Sequence, residues 1–412
     1  MIDYKKAIIK IKKNKIKINS ETILSINSIN RVSSSNVYSP SNYPAANNSS
    51  FDGYAINSKE TKNLTKKKFK KFRILKTIAA GDNPKIKKAQ KHSTIEVMTG
   101  AIIQKPYDAV IPIEQIKFYP KKNKYNYIIV DRRISKNDYI RFEGSDFRKR
   151  EKVINKGELI KSQHILALKA LGIKKILVKK KPSIVFYTTG NEISNKENIP
   201  KWKVRNSNGF YINSFLNSLP VRFKQKKILR DHDSLKFKKE ILTNLKSKNE
   251  IILTSGAVSA GKYDFIPGII KKFKLRYYFK GVSIRPGKPI MFAKFLKNKV
   301  FFGLPGNPIS SAACIRFFVL PFLYFSMGMK ENKPINVRLK NSFSKKKNFT
   351  RFIKGKLTFS NKGIAQFEVF KGQESFRIKP FTKSNAWGLF PSGKSNFKKN
   401  DYIKCYTLTG IN

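Results

Sequence analysis

From residue 181 onward, short solid blocks of apolar residues alternate with longer stretches of helical spacing. The blocks are 183–187, 251–254 and 300–302; the helical stretches are 206–219, 235–245 and 309–325. That alternation predicts a parallel, doubly wound α/β sheet over 181–330. Between 51 and 141 the texture changes to strand-sized pieces at 72–75, 94–98, 109–113 and 127–130, divided by lysine-rich, glycine or proline breaks. They predict a small β-rich domain. The flanking segments, 1–50 and 142–180, are mixed. A helix is expected over 3–17, a β-like run at 23–26, and an amphipathic helix over 162–171 closed by Gly172. Beyond Pro334 no long helical pattern survives. Alternating segments at 353–359 and 402–406 predict a terminal β-barrel or sandwich over 331–412.

Two of the apolar blocks run straight into glycine-rich turns. One is Thr254-Ser255-Gly256-Ala257-Val258-Ser259-Ala260-Gly261; the other is Gly303-Leu304-Pro305-Gly306-Asn307-Pro308. A strand that ends in glycine and opens a helix leaves unpaired N–H groups at its carboxyl end, where open α/β sheets bind phosphates. Residues 256–262 have the GxxxxGK spacing of a phosphate loop, but Tyr263 stands where Ser or Thr would ligate magnesium, which argues against a P-loop NTPase. In the second turn, prolines on either side of Gly306 and Asn307 predict a rigid corner, with an unusual dihedral at Gly306. Between the turns, Ile284-Arg285-Pro286-Gly287-Lys288-Pro289 sets two cations on a Pro-Gly corner. Arg285 suits bidentate contact with phosphate or an oxyanion, Lys288 a point contact.

Charge changes the picture less than its size suggests. Lys and Arg number 87 against 25 acids, a net +62 over 412 residues. The lysines are spread along the whole chain, and no RRM, KH, zinc-finger or arginine-rich signature accompanies them, so specific nucleic-acid recognition is not expected. Scarcity does make an acid inside a tight turn informative. Asp52, Asp146, Glu192 and Asp264 all sit near glycines, with Asp264 two residues past Lys262. Glu192 offers Mg²⁺ an oxygen ligand or, more plainly, a first-turn helix acid; Asp52 reads equally as an Asx turn.

Cys314 and Cys405 are too few and too distant for a disulfide framework. His92, His164 and His232 have no motif spacing. The N-terminus lacks an apolar signal core. The greasiest run, 317–325, is about half the ~20 residues a membrane span needs. A cytoplasmic location without membrane attachment is expected.

Taken in order, the motifs resemble the MoeA / gephyrin E-domain family of molybdopterin molybdenumtransferases. The matches are Phe51-Asp52-Gly53-Tyr54-Ala55, Val97-Met98-Thr99-Gly100-Ala101, Asp108-Ala109-Val110, Gly144-Ser145-Asp146, Thr189-Gly190-Asn191-Glu192, Ser255-Gly256-Ala257-Val258-Ser259, Arg285-Pro286-Gly287-Lys288-Pro289 and Leu304-Pro305-Gly306-Asn307-Pro308. The resemblance implies a homodimer of four-domain protomers. Residues 1–50 and 142–180 form a discontinuous connecting and dimerisation domain, 51–141 an inserted β-rich domain, 181–330 a MogA-like molybdopterin-binding domain and 331–412 a barrel. It implies that adenylylated molybdopterin and molybdate bind, AMP leaves and molybdenum is inserted, with Mg²⁺ assisting. By position, Glu192 and Asp264 fall at the metal and pterin-phosphate end with Asp231 nearby, and Gly256 and Ser259 on the phosphate turn. Arg285, Lys288, Pro305, Asn307 and Pro308 fall in the molybdate and phosphate pocket; Asp52, Thr99 and Asp146 come from other domains. The chain departs from the family pattern at Asn47, Asn48, Asn191, Ala257 and Lys262. Molybdopterin adenylylation and noncatalytic scaffolding are the alternative readings.

Overall fold

The three apolar blocks of the α/β segment become central strands of a six-stranded sheet, buried on both faces. The strands of that sheet are labelled β1 (Ser183–Thr188), β2 (Arg222–Gln225), β3 (Ile251–Ser255), β4 (Leu275–Lys280), β5 (Met291–Phe295) and β6 (Lys299–Leu304), the apolar blocks being β1, β3 and β6. Their order is β2-β1-β3-β6-β5-β4. Successive side chains of β1 go to opposite sides, as a period of two requires. Ile184 and Phe186 join a core with Ile212, Phe215 and Leu216 of helix Ser207–Asn217. Val185 and Tyr187 join another with Phe237 and Ile241 of helix Ser234–Lys246. The sheet is therefore covered on both faces. The computed structural model describes residues 1–409 except 87–88, 121–125, 249, 257–265, 272, 274 and 296–297.

Strands β2, β1, β3 and β6 are parallel, as the alternation predicts. The other edge corrects the fully parallel expectation, because β5 runs antiparallel to β6 and β4 antiparallel to β5. Phe295 and Lys299 are paired across a link too short for a crossover, and Asn298 takes φ +64° beside it.

After β6 the chain turns into one apolar helical rod, Pro308–Met327, of which 94 % of the most apolar window is buried within the protein. It is longer than the predicted run and long enough to cross a bilayer, but its burial makes it a core element here. It is α-helical over Pro308–Cys314 and Leu320–Met327, with a π-helical turn at Ile315–Val319 between them. Pro321 has no N–H to give the preceding turn, and the wider turn lies just upstream of it.

The C-terminal strands are β7 (Ile335–Leu339), β8 (Thr350–Phe359), β9 (Ala365–Val369), β10 (Ala386–Phe390) and β11 (Tyr402–Thr407). They follow the order β8-β9-β7-β11-β10, and β10 pairs back onto β8. The sheet thus closes on itself as a barrel rather than a sandwich, around Val337, Ile353, Phe367 and Phe390.

These elements belong to a compact unit of residues 1–35, 156–162 and 175–412; a second unit holds 36–155 and 163–174. The second unit is built on a six-stranded sheet that includes Gly53–Ile56, Lys70–Ile78, Ser93–Val97 and Ala109–Pro112. Near the N-terminus the predicted helix stops earlier than expected, spanning Tyr4–Lys13 with Asp3 accepting the Lys5 N–H at 2.7 Å. The β-like run ends at Leu24. Residues Ser25–Ser28 form a 3₁₀ turn in which Ser28 Oγ donates to the Ser25 carbonyl at 2.5 Å.

Candidate active site

The carboxyl ends of β1, β3 and β6 stay in register past the last ladder pairs. Thr189 N–H donates to Ser255 O at 3.0 Å, and Gly256 N–H to Leu304 O at 3.0 Å. Gly256 sits at φ +91°, and a Cβ there would lie 2.6 Å from Thr189 Oγ1 and 2.7 Å from Thr189 O. Only glycine lets these strand ends close up. Pro305 is buried, and its carbonyl accepts from Ser311 Oγ at 2.5 Å. Asn208 Nδ2 donates to Gly306 O at 2.6 Å. Asn206 caps its helix by accepting the Gly209 N–H at 3.0 Å.

These turns floor a cleft of about 1360 Å³, large enough for a ligand of nucleotide size or more. One expectation is corrected here. Gly306 does not take a positive φ, and a Cβ there would meet its nearest neighbour, Gly256 Cα, at an ordinary 3.7 Å. The unusual dihedral belongs to Gly256. Asn307 stands at the helix N-cap but makes no side-chain cap; its Nδ2 donates to Ser375 Oγ at 3.0 Å.

Cations enter from a second direction. Arg285 pairs in register with Arg351 of β8, and both line the cleft with Lys288. Gly287, at φ +102°, lets that corner lie on Cys314, whose Sγ a Cβ would approach to 2.7 Å. Arg285 lies over the Phe349 ring at 4.7 Å. Arg351 keeps its Nε buried with no hydrogen-bond partner. Burial, and after it the Arg285 charge, lowers its guanidinium pKa, with Glu374 opposing the drop. A cationic pair with an unsatisfied donor is a place for an anion.

Acids line the same cleft. Glu192 folds its carboxylate over Gly190, where a Cβ would meet Oε2 at 2.5 Å. The Gly190–Ile193 turn is held by Arg230, whose Nη1 donates to the carbonyls of Gly190, Asn191 and Ile193 at 3.2, 3.2 and 2.9 Å. Asp231 N–H donates to Asn191 Oδ1 at 3.1 Å, which sets Asp231 beside that turn. Among the described residues no three His, Cys, Asp or Glu side chains gather as a metal cage. Two carboxylates lining one cleft still fit Mg²⁺, which takes one or two carboxylates plus substrate phosphates.

The structure therefore brings Glu192, Asp231, Gly256, Arg285, Lys288, Pro305, Asn307 and Pro308 to one cleft. Ser259 and Asp264, with Ala257, Lys262 and Tyr263, lie outside the described residues. Asp52, Thr99 and Asp146 belong to the second unit. There Asp52 Oδ1 accepts from Thr99 N–H at 2.6 Å and from Thr99 Oγ1 at 2.8 Å. The amide first, then the hydroxyl, holds its carboxyl below the ordinary 3.8. Asp146 is exposed on a loop. Sequence reasoning missed Asn206, Asn208, Arg351, Gln373 and Ser375. The only local signal was a polar Gly372-Gln373-Glu374-Ser375 run in the barrel segment.

Residues 2–172 match the MoeA N-terminal region (domain I and II), and residues 185–324 match a probable molybdopterin binding domain. The chain is 28 % identical over 406 residues to the molybdopterin molybdenumtransferase of Staphylococcus epidermidis (strain ATCC 35984), covering 98 % of this chain and 94 % of that protein. It is 28 % identical over 401 residues to the protein of the same name from Staphylococcus aureus (strain COL), covering 96 % and 93 %. The fold is shared with the molybdopterin biosynthesis MoeA protein of Pyrococcus horikoshii OT3, at a TM-score of 0.82 and 23 % identity, over 98 % of this chain and 99 % of that one. The MoeA N-terminal region and the molybdopterin binding domain are thus matched in order along the chain, and its fold is that of a MoeA protein from end to end.

Proposed function

We propose that the chain is a molybdenum insertase of molybdenum cofactor biosynthesis, a transferase that takes adenylylated molybdopterin and molybdate and releases AMP. The carrying observation is the cleft itself: the turns after β1, β3 and β6, the cations Arg285, Lys288 and Arg351 and the acids Glu192 and Asp231 line one cavity. Arg285 and Lys288, on their Pro-Gly corner, hold molybdate or a phosphate without reorganising at the moment of reaction. Gly256 and Pro305 let backbone approach the pterin phosphate, and Asn307 and Pro308 fix the wall behind it. Glu192 and Asp264 would hold Mg²⁺, with Asp231 nearby; the ion, when bound, would neutralise phosphate charge as the P–O bond breaks. Asp52, Thr99 and Asp146 are assigned to the same reaction from the second unit. Homodimerisation and a cytoplasmic setting belong to the same reading.

The test incubates purified protein with adenylylated molybdopterin, molybdate and Mg²⁺ and follows AMP by chromatography. Release of AMP that needs both molybdate and Mg²⁺ is expected, and no release rejects the proposal. ATP consumption with metal-free molybdopterin would move the assignment to adenylylation.

A further inference from the structure

The chain has 87 basic residues, and among the described residues few cations are buried; of those buried lysines Lys354 on β8 is the most enclosed, at 1 % exposed. Its Nζ donates to Gly372 O at 2.9 Å, Arg377 O at 3.0 Å and Glu374 O at 3.1 Å. An ammonium has three N–H bonds, and here each one has a carbonyl. The backbone of the same residue grips the same turn. Lys354 N–H donates to Gln373 Oε1 at 3.0 Å, and Gln373 Nε2 returns a bond to Lys354 O at 2.8 Å and one to Phe370 O at 2.7 Å.

What this turn carries is the barrel's share of the cleft wall. Gln373, Glu374, Ser375 and Phe376 all line the cavity. Ser375 is tied to the rigid corner at both of its oxygens: Oγ accepts from Asn307 Nδ2 at 3.0 Å, and its carbonyl accepts the Ile309 N–H at 3.2 Å. The turn is otherwise short of fastenings. Glu374 pairs with Arg377 at 3.1 Å, but both side chains are about half exposed, and an exposed pair of this kind contributes little. No hydrophobic side chain of the turn is buried.

We propose that Lys354 is a positioning residue of this site: its ammonium clasps the 372–377 turn, so that the turn lines the cleft and Ser375 meets Asn307. Three charge-assisted bonds to main-chain carbonyls fix the path of a turn that has no apolar anchor of its own. The charged groups facing the ammonium are Glu374 and Arg377 from the turn and Arg351 from its own strand. Burial makes the lone cation costly, and the three carbonyls offset that cost. Arg230 holds the Gly190–Ile193 turn of the same cleft by the same device. The kinetic consequence rests on the insertase reading; the clasp itself does not.

The experiment compares the full chain with Lys354→Met, which keeps the length and removes the donors, and Lys354→Arg, which keeps the charge. Amide hydrogen exchange is read at 373–378, with strands β10 and β11 as internal reference. Lys354→Met is expected to speed exchange at 373–378 by about tenfold with the reference strands unchanged. It should raise KM for molybdate by a similar factor with kcat within about twofold, and Lys354→Arg should recover part of both effects. Unchanged exchange at 373–378 overturns the proposal, as does a rise shared equally by the reference strands, which would make Lys354 a plain stability residue. Should Lys354→Met not fold, Lys354→Gln takes its place, since a shorter side chain with two N–H donors cannot reach all three carbonyls, and faster exchange confined to 373–378 is again the expected result. Absence of AMP release by the unmodified chain would sink the insertase reading while leaving the exchange comparison intact.

Discussion

Asp52 is exposed, yet both the amide and the hydroxyl of Thr99 are committed to one of its oxygens. The pair fixes where a carboxylate points without burying it. The folded pKa is lowered, so the contribution to folding is present above the ordinary 3.8 and is lost as pH falls through the lowered value. Thr99→Val keeps the shape and the amide but removes the hydroxyl donor. The Asp52 carboxyl should then titrate closer to 3.8, read by NMR from its side-chain carbon; an unmoved titration would show the hydroxyl to be irrelevant. At this scale the sequence is legible where backbone chemistry is special. Gly256, Gly287 and Pro305 announce themselves because few residues fit their positions. Arg351 does not: one cation in a chain with 87 of them carries no mark, and only the register with Arg285 reveals it.

Elements were legible where burial is two-sided. Strands β1, β3 and β6 are solid apolar runs, because each face of the sheet has its own core. Strands β4 and β5 lie toward an edge, where lysines break the pattern, and the antiparallel direction of β5 against β6 follows from a short link rather than from any residue type. The turn at 372–378 was illegible for a further reason: it is held by hydrogen bonds to β8 rather than by periodicity. The helix Pro308–Met327 was visible as an apolar run but not as a broken rod, since one proline does not reveal a π turn upstream. Its seat on the sheet is aromatic. Phe302 of β6 lies 4.7 Å from Phe292 and 5.3 Å from Phe322 by ring centroids, and all three are fully buried. Phe302→Ala removes the ring shared by sheet and helix and leaves a cavity between them. A loss of about 3–5 kcal/mol is expected by urea unfolding. A loss under ~1 kcal/mol would mean that the helix does not depend on this contact.

At the scale of the whole molecule, the net charge of +62 is the feature that composition states most loudly and explains least. A field of that size acts on any polyanion, while the cleft recognises a particular one through fixed geometry. The two are separable by salt. Adhesion to a short DNA duplex should be strong at about 50 mM salt and fall by at least ~10²-fold by about 200 mM, because each phosphate contact releases a counterion. Two duplexes of equal length and scrambled sequence should bind within about twofold of one another, since phosphate contacts carry no sequence information. Within the cleft, Arg285, Arg351 and Lys288 are partly balanced by Glu192, Asp231 and Glu374, so fewer counterions leave when an anion docks there. Fluorescence anisotropy with labelled duplexes across a salt series measures the first slope; a titration of pyrophosphate over the same series measures the second. A shallow slope for duplex binding, or a persistent preference for one sequence, would give the charge a nucleic-acid role that its even spread along the chain does not suggest.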